Sequence, residues 1–311
     1  MNSSKQWLLL KKEGIMNMTE SILNYRQFLK RKNYSELTIK NYLHRLKQFC
    51  SWVAVPIEMT SPTEVKMYID HLLEKRMAPH SINCHLSSIR GYYDYLQDEE
   101  NIPLENPVIK GLMLREPHPL PRYLHDSDVE LFLESISNIR DRAIFMLMLR
   151  CGLRVQEVAN LTLDVIDYRR SQILVKSGKG AKDRIVYISN DAGVALAEYL
   201  RTRPITEEKQ IFLAEKGRCK GKPISVRAMQ KRVEFYARKS GVAVTCHRLR
   251  HTMATQLLNA DADLVSIQEI LGHTRIKTTQ RYSKLSNLKA QRDYFQAMEM
   301  VMEKTSANQL E

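Results

Sequence analysis

Residues 139–157 read IRDRAIFMLMLRCGLRVQE. From Ile139 to Cys151 the run is apolar on nearly every side, which suits a helix surrounded by core rather than one lying on a surface. Gly152 supplies the stop, because a helix commonly ends in a left-handed residue that glycine adopts without strain. A fully enclosed helix needs a sizeable domain around it, and the sequence downstream provides one. Ser171 to Lys176 and Asp183 to Ser189 are β-branched, strand-like runs, with Ser-Gly-Lys-Gly-Ala-Lys at 177–182 as the hairpin loop between them. Helical patterns then recur at roughly 191–202, 225–240, 247–259, 263–271 and 287–304. The expected class is mainly α with a small β-hairpin or sheet, an α+β arrangement.

Upstream, the pattern is helical from about residue 18 to residue 112. Ile39, Leu43, Leu46, Phe49 (with Cys50) and Val53 recur at helical spacing as one buried stripe, and Ile82, Leu86, Ile89, Tyr93 and Leu96 form another. Between them, Thr63 to Arg76 reads as a helix with Pro62 near its start and Pro79 beyond its end. The reading is a bundle of about four helices. Residues 115–122, Arg-Glu-Pro-His-Pro-Leu-Pro-Arg, exclude a helix and favour an extended connector. Ser127-Asp-Val-Glu130 has the form of a capping box opening the next domain. The expected boundaries are a tail at 1–17, a helical bundle at 18–113, a Pro-rich linker at 114–123, a mixed domain at 124–286, and a terminal helix and tail at 287–311. In that last helix Tyr294, Phe295, Met298, Val301 and Met302 share one apolar side that needs a partner.

The 311 residues carry 48 basic and 35 acidic side chains, a net charge of +13. Such a surplus favours polyanionic partners. Duplex DNA presents a charge roughly every 1.7 Å of its axis, and neutralising it releases counterions. The five cysteines, Cys50, Cys84, Cys151, Cys219 and Cys246, form no CxxC pair, which argues against a zinc site or a disulfide framework and for a reducing compartment. The apolar run Trp7 to Leu10 is too short for a membrane span or a signal-peptide core, so the expected location is cytoplasmic.

Four islands of the second domain carry reactive side chains: Cys-Gly-Leu-Arg154-Val-Gln-Glu157, Gly-Lys179-Gly, His247-Arg-Leu-Arg250-His251, and Leu-Gly-His273 with Tyr282 nine residues on. Singly, each has an ordinary explanation. Arg154 fits a solvated helix start, and Lys179 an exposed hairpin tip; Gly-Lys-Gly lacks the spacing of a nucleotide P-loop. His247 and His251 stand at i and i+4, a spacing that can hold zinc, but the helix has no HExxH glutamate and no third ligand is evident. His273 suits a helix end, and Tyr282 is one of fourteen tyrosines.

Together they match what phosphoryl transfer to and from DNA requires. Charge builds on the non-bridging oxygens, where planar, permanently charged guanidiniums such as Arg154 and Arg250 give bidentate support. The leaving 5′ oxygen needs a proton, which suits a mobile Lys179, and His247 can take the phenol proton or hydrogen-bond the phosphate. His273 would donate a further hydrogen bond. No carboxylate cluster with metal-site spacing appears, so no metal and no cofactor are expected; fixed cations take that part.

On these residues the chain resembles the tyrosine recombinase (phage integrase) family over roughly residues 18–305. Gly-Leu-Arg154-x-x-Glu157 resembles the first-arginine box, Gly-Lys179-Gly-x-Lys-Asp-Arg the β-hairpin lysine, His247-x-Leu-Arg250-His251 the second box, and Leu-Gly-His273 with Tyr282 the third box and nucleophile. Cys151 stands where a threonine commonly precedes Gly-Leu-Arg. The resemblance implies a helical core-DNA-binding domain followed by a mostly helical catalytic domain. It implies site-specific recombination through a 3′-phosphotyrosyl bond to Tyr282 and a Holliday junction, in integration, excision or resolution, with Glu157 and His251 supporting. Implied partners are double-stranded DNA with core recombination sites and further copies of the chain, a dimer on one site and a tetramer in synapse. The exposed stripe Lys40, His44, Lys47, together with Arg90, is the expected DNA contact of the first domain. A non-cleaving DNA-binding protein and a type IB topoisomerase-like enzyme are the alternatives.

Overall fold

The computed structural model describes residues 18–117, 122–176 and 183–272, with isolated helical positions at 294 and 298. It divides into two compact units, Met1–His118 and Pro119–Glu311.

In the first unit, four helices surround an aromatic core: α1 (Met18–Arg31), α2 (Glu36–Trp52), α3 (Pro62–Glu74) and α4 (Pro79–Asp98). Ser35 caps α2 through its side chain. Ser61 and Glu64 close a capping box on α3, with Ser61 N donating to Glu64 Oε2 at 2.8 Å. Ile39, Leu46 and Phe49 from α2 and all five residues of the α4 stripe are buried. Tyr25, Phe28, Tyr92 and Tyr95 pack ring against ring, with centroids 5.1–6.3 Å apart. Helix ends at Asp98, short of the expected residue 112. Pro103 and Pro107 lack backbone donors and Asn101 is left-handed, so 99–117 turns back along α4 as irregular chain. Side chains of α4 satisfy its backbone: Asn83 bonds Leu114 at both N–H and C=O (2.8 and 2.9 Å), and Arg90 donates to Val108 O at 3.0 Å.

The second unit is built on α6 (Ile139–Arg150), preceded by α5 (Asp126–Ser135) and followed by the short α7 (Val155–Ala159). Every residue of α6 from Ala143 to Leu149 is buried. It packs between α8 (Asn190–Thr202) and α10 (Cys246–Asn259). Gly152 takes φ +63°, and a β-carbon there would stand 3.1 Å from Met253 Sδ and 3.2 Å from Leu271, so any other residue at this stop is strained and crowded. The Ser127–Glu130 capping box does not form: α5 opens at Asp126 after His125, which gives no side-chain cap. Asp126 and Asp128 instead face the positive end of the helix dipole.

Strands β1 (Ile166–Asp167), β2 (Gln172–Val175) and β3 (Arg184–Tyr187) form an antiparallel sheet in that order, with Leu174 opposite Ile185 and Val175 opposite Arg184. Ile173, Val175 and Val186 point into the core, and Leu174, Ile185 and Tyr187 point out. Arg184 shares the inward side, two residues before Val186. Helices α9 (Val226–Ser240) and α11 (Leu264–Leu271) complete the described part of the unit. Among the described residues no helix is long and apolar enough to cross a membrane.

Candidate active site

The end of α11 organises the site. The last carbonyls of a helix have no partner within it and carry its negative dipole end. Here three consecutive ones each accept from a different arginine: Ile270 O from Arg184 Nε (2.8 Å), Leu271 O from Arg250, and Gly272 O from Arg154 (3.1 Å). Arg250, which is 2% exposed, also donates to Gly152 O. The two arginines picked from the sequence are thus drawn to adjoining peptide groups by the unfilled end of one helix.

Arg154 sits at the N-cap of α7, its side chain partly open to solvent. Glu157, one turn on, accepts from the Arg154 backbone N–H at 2.7 Å and from its guanidinium at 2.8 Å. The same carboxylate takes a two-pronged pair from Arg184, 2.8 Å to Oε1 and 2.7 Å to Oε2. Burial alone would raise the Glu157 pKa, but the hydrogen bonds from Arg184 and the Arg154 backbone, with the Arg184 charge, hold it at about 2. It is a fixed anion between two fixed cations.

His247 and Arg250 lie at i and i+3 near the start of α10, which Thr245 caps by accepting from Arg248 N. The His247 and His251 rings meet edge to face, centroids 4.1 Å apart. Desolvation, then the charges of Arg250 and Arg154, push the His247 pKa below the ordinary imidazole value, which keeps the ring neutral and able to accept a proton near neutral pH.

Two adjoining clefts share Glu234, Val244, Thr245 and His247. One, about 540 Å³, is lined by Arg154, Arg227, Gln230 and Arg250; the other, about 680 Å³, by Arg122, Arg238, Arg248 and His251. Six arginines around one trough suit a phosphodiester backbone. Burial raises the thiols of Cys151 to about 12 and Cys246 to about 11, so neither competes as a nucleophile near neutral pH. Among the described residues no group of three His, Cys, Asp or Glu could hold a metal ion.

Arg154, Glu157, His247, Arg250 and His251 therefore come together, while Lys179, His273 and Tyr282 lie outside the described residues, as does most of the terminal apolar helix. In the first unit Lys40, His44 and Lys47 are exposed along α2. His44 and Lys47 border a hollow of about 540 Å³ that also includes Trp52, His71 and Lys75. Arg90 is partly buried and directs two donors to Val108 O. Arg184 went unassigned at the level of sequence. Its signal was there: an inward position on a two-sided strand demands a carboxylate partner for an arginine.

The family model described as the phage integrase family matches residues 122–288, and that of the phage integrase N-terminal SAM-like domain matches 22–100. The tyrosine recombinase XerA of Thermococcus kodakarensis is 32% identical over 270 residues, spanning 86% of this chain and 91% of that protein. The crystal structure of a XerA recombinase aligns with a TM-score of 0.52 at 29% identity, covering 89% of this chain and 98% of the other. A lambda integrase dimer bound to a COC′ core site aligns with a TM-score of 0.71 at 15% identity, covering 86% and 95%, a likeness of fold. With a family model over more than half of its length and relatives aligned along nearly all of it, the chain belongs to the phage integrase family and is a tyrosine-type site-specific DNA recombinase.

Proposed function

We propose that Arg154 and Arg250 grip the non-bridging oxygens of the scissile phosphate while the Tyr282 phenol attacks phosphorus. The phenol oxygen forms a 3′-phosphotyrosyl bond, its proton passes to the neutral His247, and the 5′ oxygen leaves with a proton from Lys179. His273 donates a further hydrogen bond to the phosphate. Religation reverses each transfer: the 5′ hydroxyl of a partner strand attacks, and the phenol departs with its proton restored. The phosphotyrosyl bond retains the energy of the broken diester, so no nucleotide is needed to reseal it.

The observation that carries this reading is the shared cleft of Arg154, His247 and Arg250, with Arg250 almost wholly buried yet facing a basic trough. Buried cations held before substrate arrives give electrostatic stabilisation without reorganisation during the reaction. Lys40, His44 and Lys47 contact duplex DNA from the first unit; Arg90 is held by Val108 O. Two protomers take one core site and four form the synapse. The lambda integrase, captured as a dimer on a core site, supports the first half of that arrangement.

The test uses duplexes built on the sequence that the full-length chain enriches from a random pool, nicked at successive positions so that a cleaved fragment diffuses away. The wild type accumulates covalent protein–DNA adduct. Arg154→Ala and Arg250→Ala each lower its rate by roughly 10³-fold, the scale for losing a donor to a transition-state oxyanion. Tyr282→Phe gives none, and duplex affinity stays within a few-fold in all three. Adduct from the Tyr282 variant would identify another nucleophile and end the proposal.

A further inference from the structure

Resting on the reading of Arg154 as a phosphate ligand, we propose that Arg184 is a positioning residue for the cleavage step, acting through Glu157 and the end of α11. The family resemblance includes Arg184 as the last residue of the Gly-Lys179-Gly-x-Lys-Asp-Arg motif but names no role for it. Three observations assign it one.

Three of its five N–H donors are engaged by two partners. Nη1 and Nη2 hold the two Glu157 oxygens at 2.8 and 2.7 Å, and Nε holds Ile270 O at 2.8 Å, with the side chain 7% exposed. It is nearly buried and lines neither of the two clefts, so its effect on substrate travels through its neighbours. Next, Glu157 Oε1 is shared: it accepts from Arg184 and, at 2.8 Å, from the Arg154 guanidinium. Without Arg184 the carboxylate loses its two-pronged anchor and becomes free to take both of its oxygens toward Arg154, turning that guanidinium away from the trough. Finally, Arg184 lies against Gly272: a β-carbon there would stand 2.9 Å from Arg184 Cδ, and Gly272 has φ +60°. Gly272 O is the other acceptor of Arg154. One side chain from β3 thus fixes both groups that orient Arg154, an anion on α7 and a carbonyl ending α11.

Lysine should not replace it. An ammonium is a point donor that cannot span both carboxylate oxygens and reach Ile270 O in one plane. Displacements near 1 Å in a reacting constellation slow chemistry by roughly 10²-fold.

The experiment compares Arg184→Gln, Arg184→Lys and Arg154→Ala in the full chain on two versions of the nicked duplex. One has an ordinary diester at the mapped cleavage position; the other has a methylphosphonate, which lacks the non-bridging charge that Arg154 is read to neutralise. On the diester, Arg184→Gln is expected to slow adduct formation about 10²-fold. Arg184→Lys should fall between it and wild type, and both should bind duplex within about threefold of wild type. On the methylphosphonate, the deficits of the Arg184 variants should shrink to less than about fivefold, in step with that of Arg154→Ala. A deficit of equal size on both duplexes would mean that Arg184 only supports the fold, and no deficit in Arg184→Gln would mean that Glu157 holds Arg154 unaided; either overturns the proposal. Wild-type adduct formation by Arg154→Ala on the diester would instead remove the reading of Arg154 beneath it.

Discussion

The two units bury polar groups in opposite ways. In the first, Ser21, Thr60, Asn83, His85 and Ser88 are the buried polar residues, all uncharged or held neutral. In the second, Arg140, Asp141 and Arg250 are buried as ions. Among the described residues the buried ion pairs are confined to the second unit, which also carries surface pairs such as Arg170–Asp167 and Lys176–Asp164. Lys30–Glu36 and Lys32–Glu99 lie on the surface of the first unit, whereas Arg140–Asp141 and Arg184–Glu157 of the second are at most 15% exposed on either side. Burying a charge costs free energy even when it is paired. On the proposed reading, a unit that touches DNA with exposed side chains has no use for such interior ions. A unit that must hold cations rigidly at one phosphate does, because preorganisation requires fixing them before substrate binds. For Arg250 and the Arg184–Glu157 pair the difference follows from chemistry; Arg140–Asp141 lies away from the trough, against Leu213 O.

The sharpest way to break the comparison is to remove one interior ion. Asp141 is fully buried; it takes Arg140 at 2.7 Å and Arg232 at 2.6 Å. Asp141→Asn leaves the enclosed Arg140 charge with only the more distant, part-exposed Glu215 at 3.6 Å. The expected loss is about 3–5 kcal/mol in the second unit. Denaturant unfolding followed by amide exchange should show that loss in α6 and leave the protection of α4 unchanged. Equal loss in both units would mean that they do not unfold independently.

The first unit should instead be most sensitive to lost volume. Leu86 is fully buried at the centre of the α4 stripe. Leu86→Ala should cost about 2–4 kcal/mol through the cavity it leaves, read by the same exchange experiment. Removing the buried hydrogen bond between Ser21 and Tyr92, 2.6 Å long, should cost only about 1 kcal/mol.

The same contrast explains what was legible in the sequence. Apolar periodicity reports burial directly, so the stripes of α2 and α4, the enclosed α6 and its stop at Gly152 were readable. The irregular return at 99–117 was not, because Ile102, Leu104, Val108, Leu112 and Leu114 continue an apolar rhythm while their backbone partners, Asn83 and Arg90, come from a distant helix. β1 is two residues long, too short for any period. In the site, Arg154, Glu157, His247 and Arg250 carry recognisable spacing. What draws them together, three arginines on three successive carbonyls, depends on where α11 ends in space, and no local pattern encodes that.

Acid should draw on the two units through different groups. Burial, then the charges of Arg45 and His44, lower the His85 pKa from 6.5 to about 4. The unfolded chain takes up that proton first, so stability of the first unit falls as pH drops below 6.5 and levels off near 4. Glu157, lowered from 4.5 to about 2, has the opposite origin but the same sign: its contribution is complete above 4.5 and disappears as pH falls toward 2. The first unit should therefore lose roughly 2 kcal/mol from His85, in the pH range where His247, also lowered, begins to draw on the second. His85→Gln should flatten its stability between pH 6.5 and 4.5. An unchanged slope in that variant would place the acid sensitivity elsewhere.

The smallest effect should come from the surface. Lys30 Nζ lies 3.1 Å from Glu36 Oε1, but the side chains are 48% and 71% exposed, joining the end of α1 to the start of α2. Water and salt screen such a pair, and ordering two long side chains offsets most of the attraction. Glu36 also meets the positive end of the α2 dipole without help from Lys30. Lys30→Ala should thus change stability by less than about 0.5 kcal/mol, with little dependence on salt between 0.05 and 0.5 M, roughly the range over which surface pairs are screened. A loss above 1 kcal/mol, on the order of what neutral buried bonds contribute, would mean that the first unit depends on surface charge. It would then differ from the second only in where its ions lie.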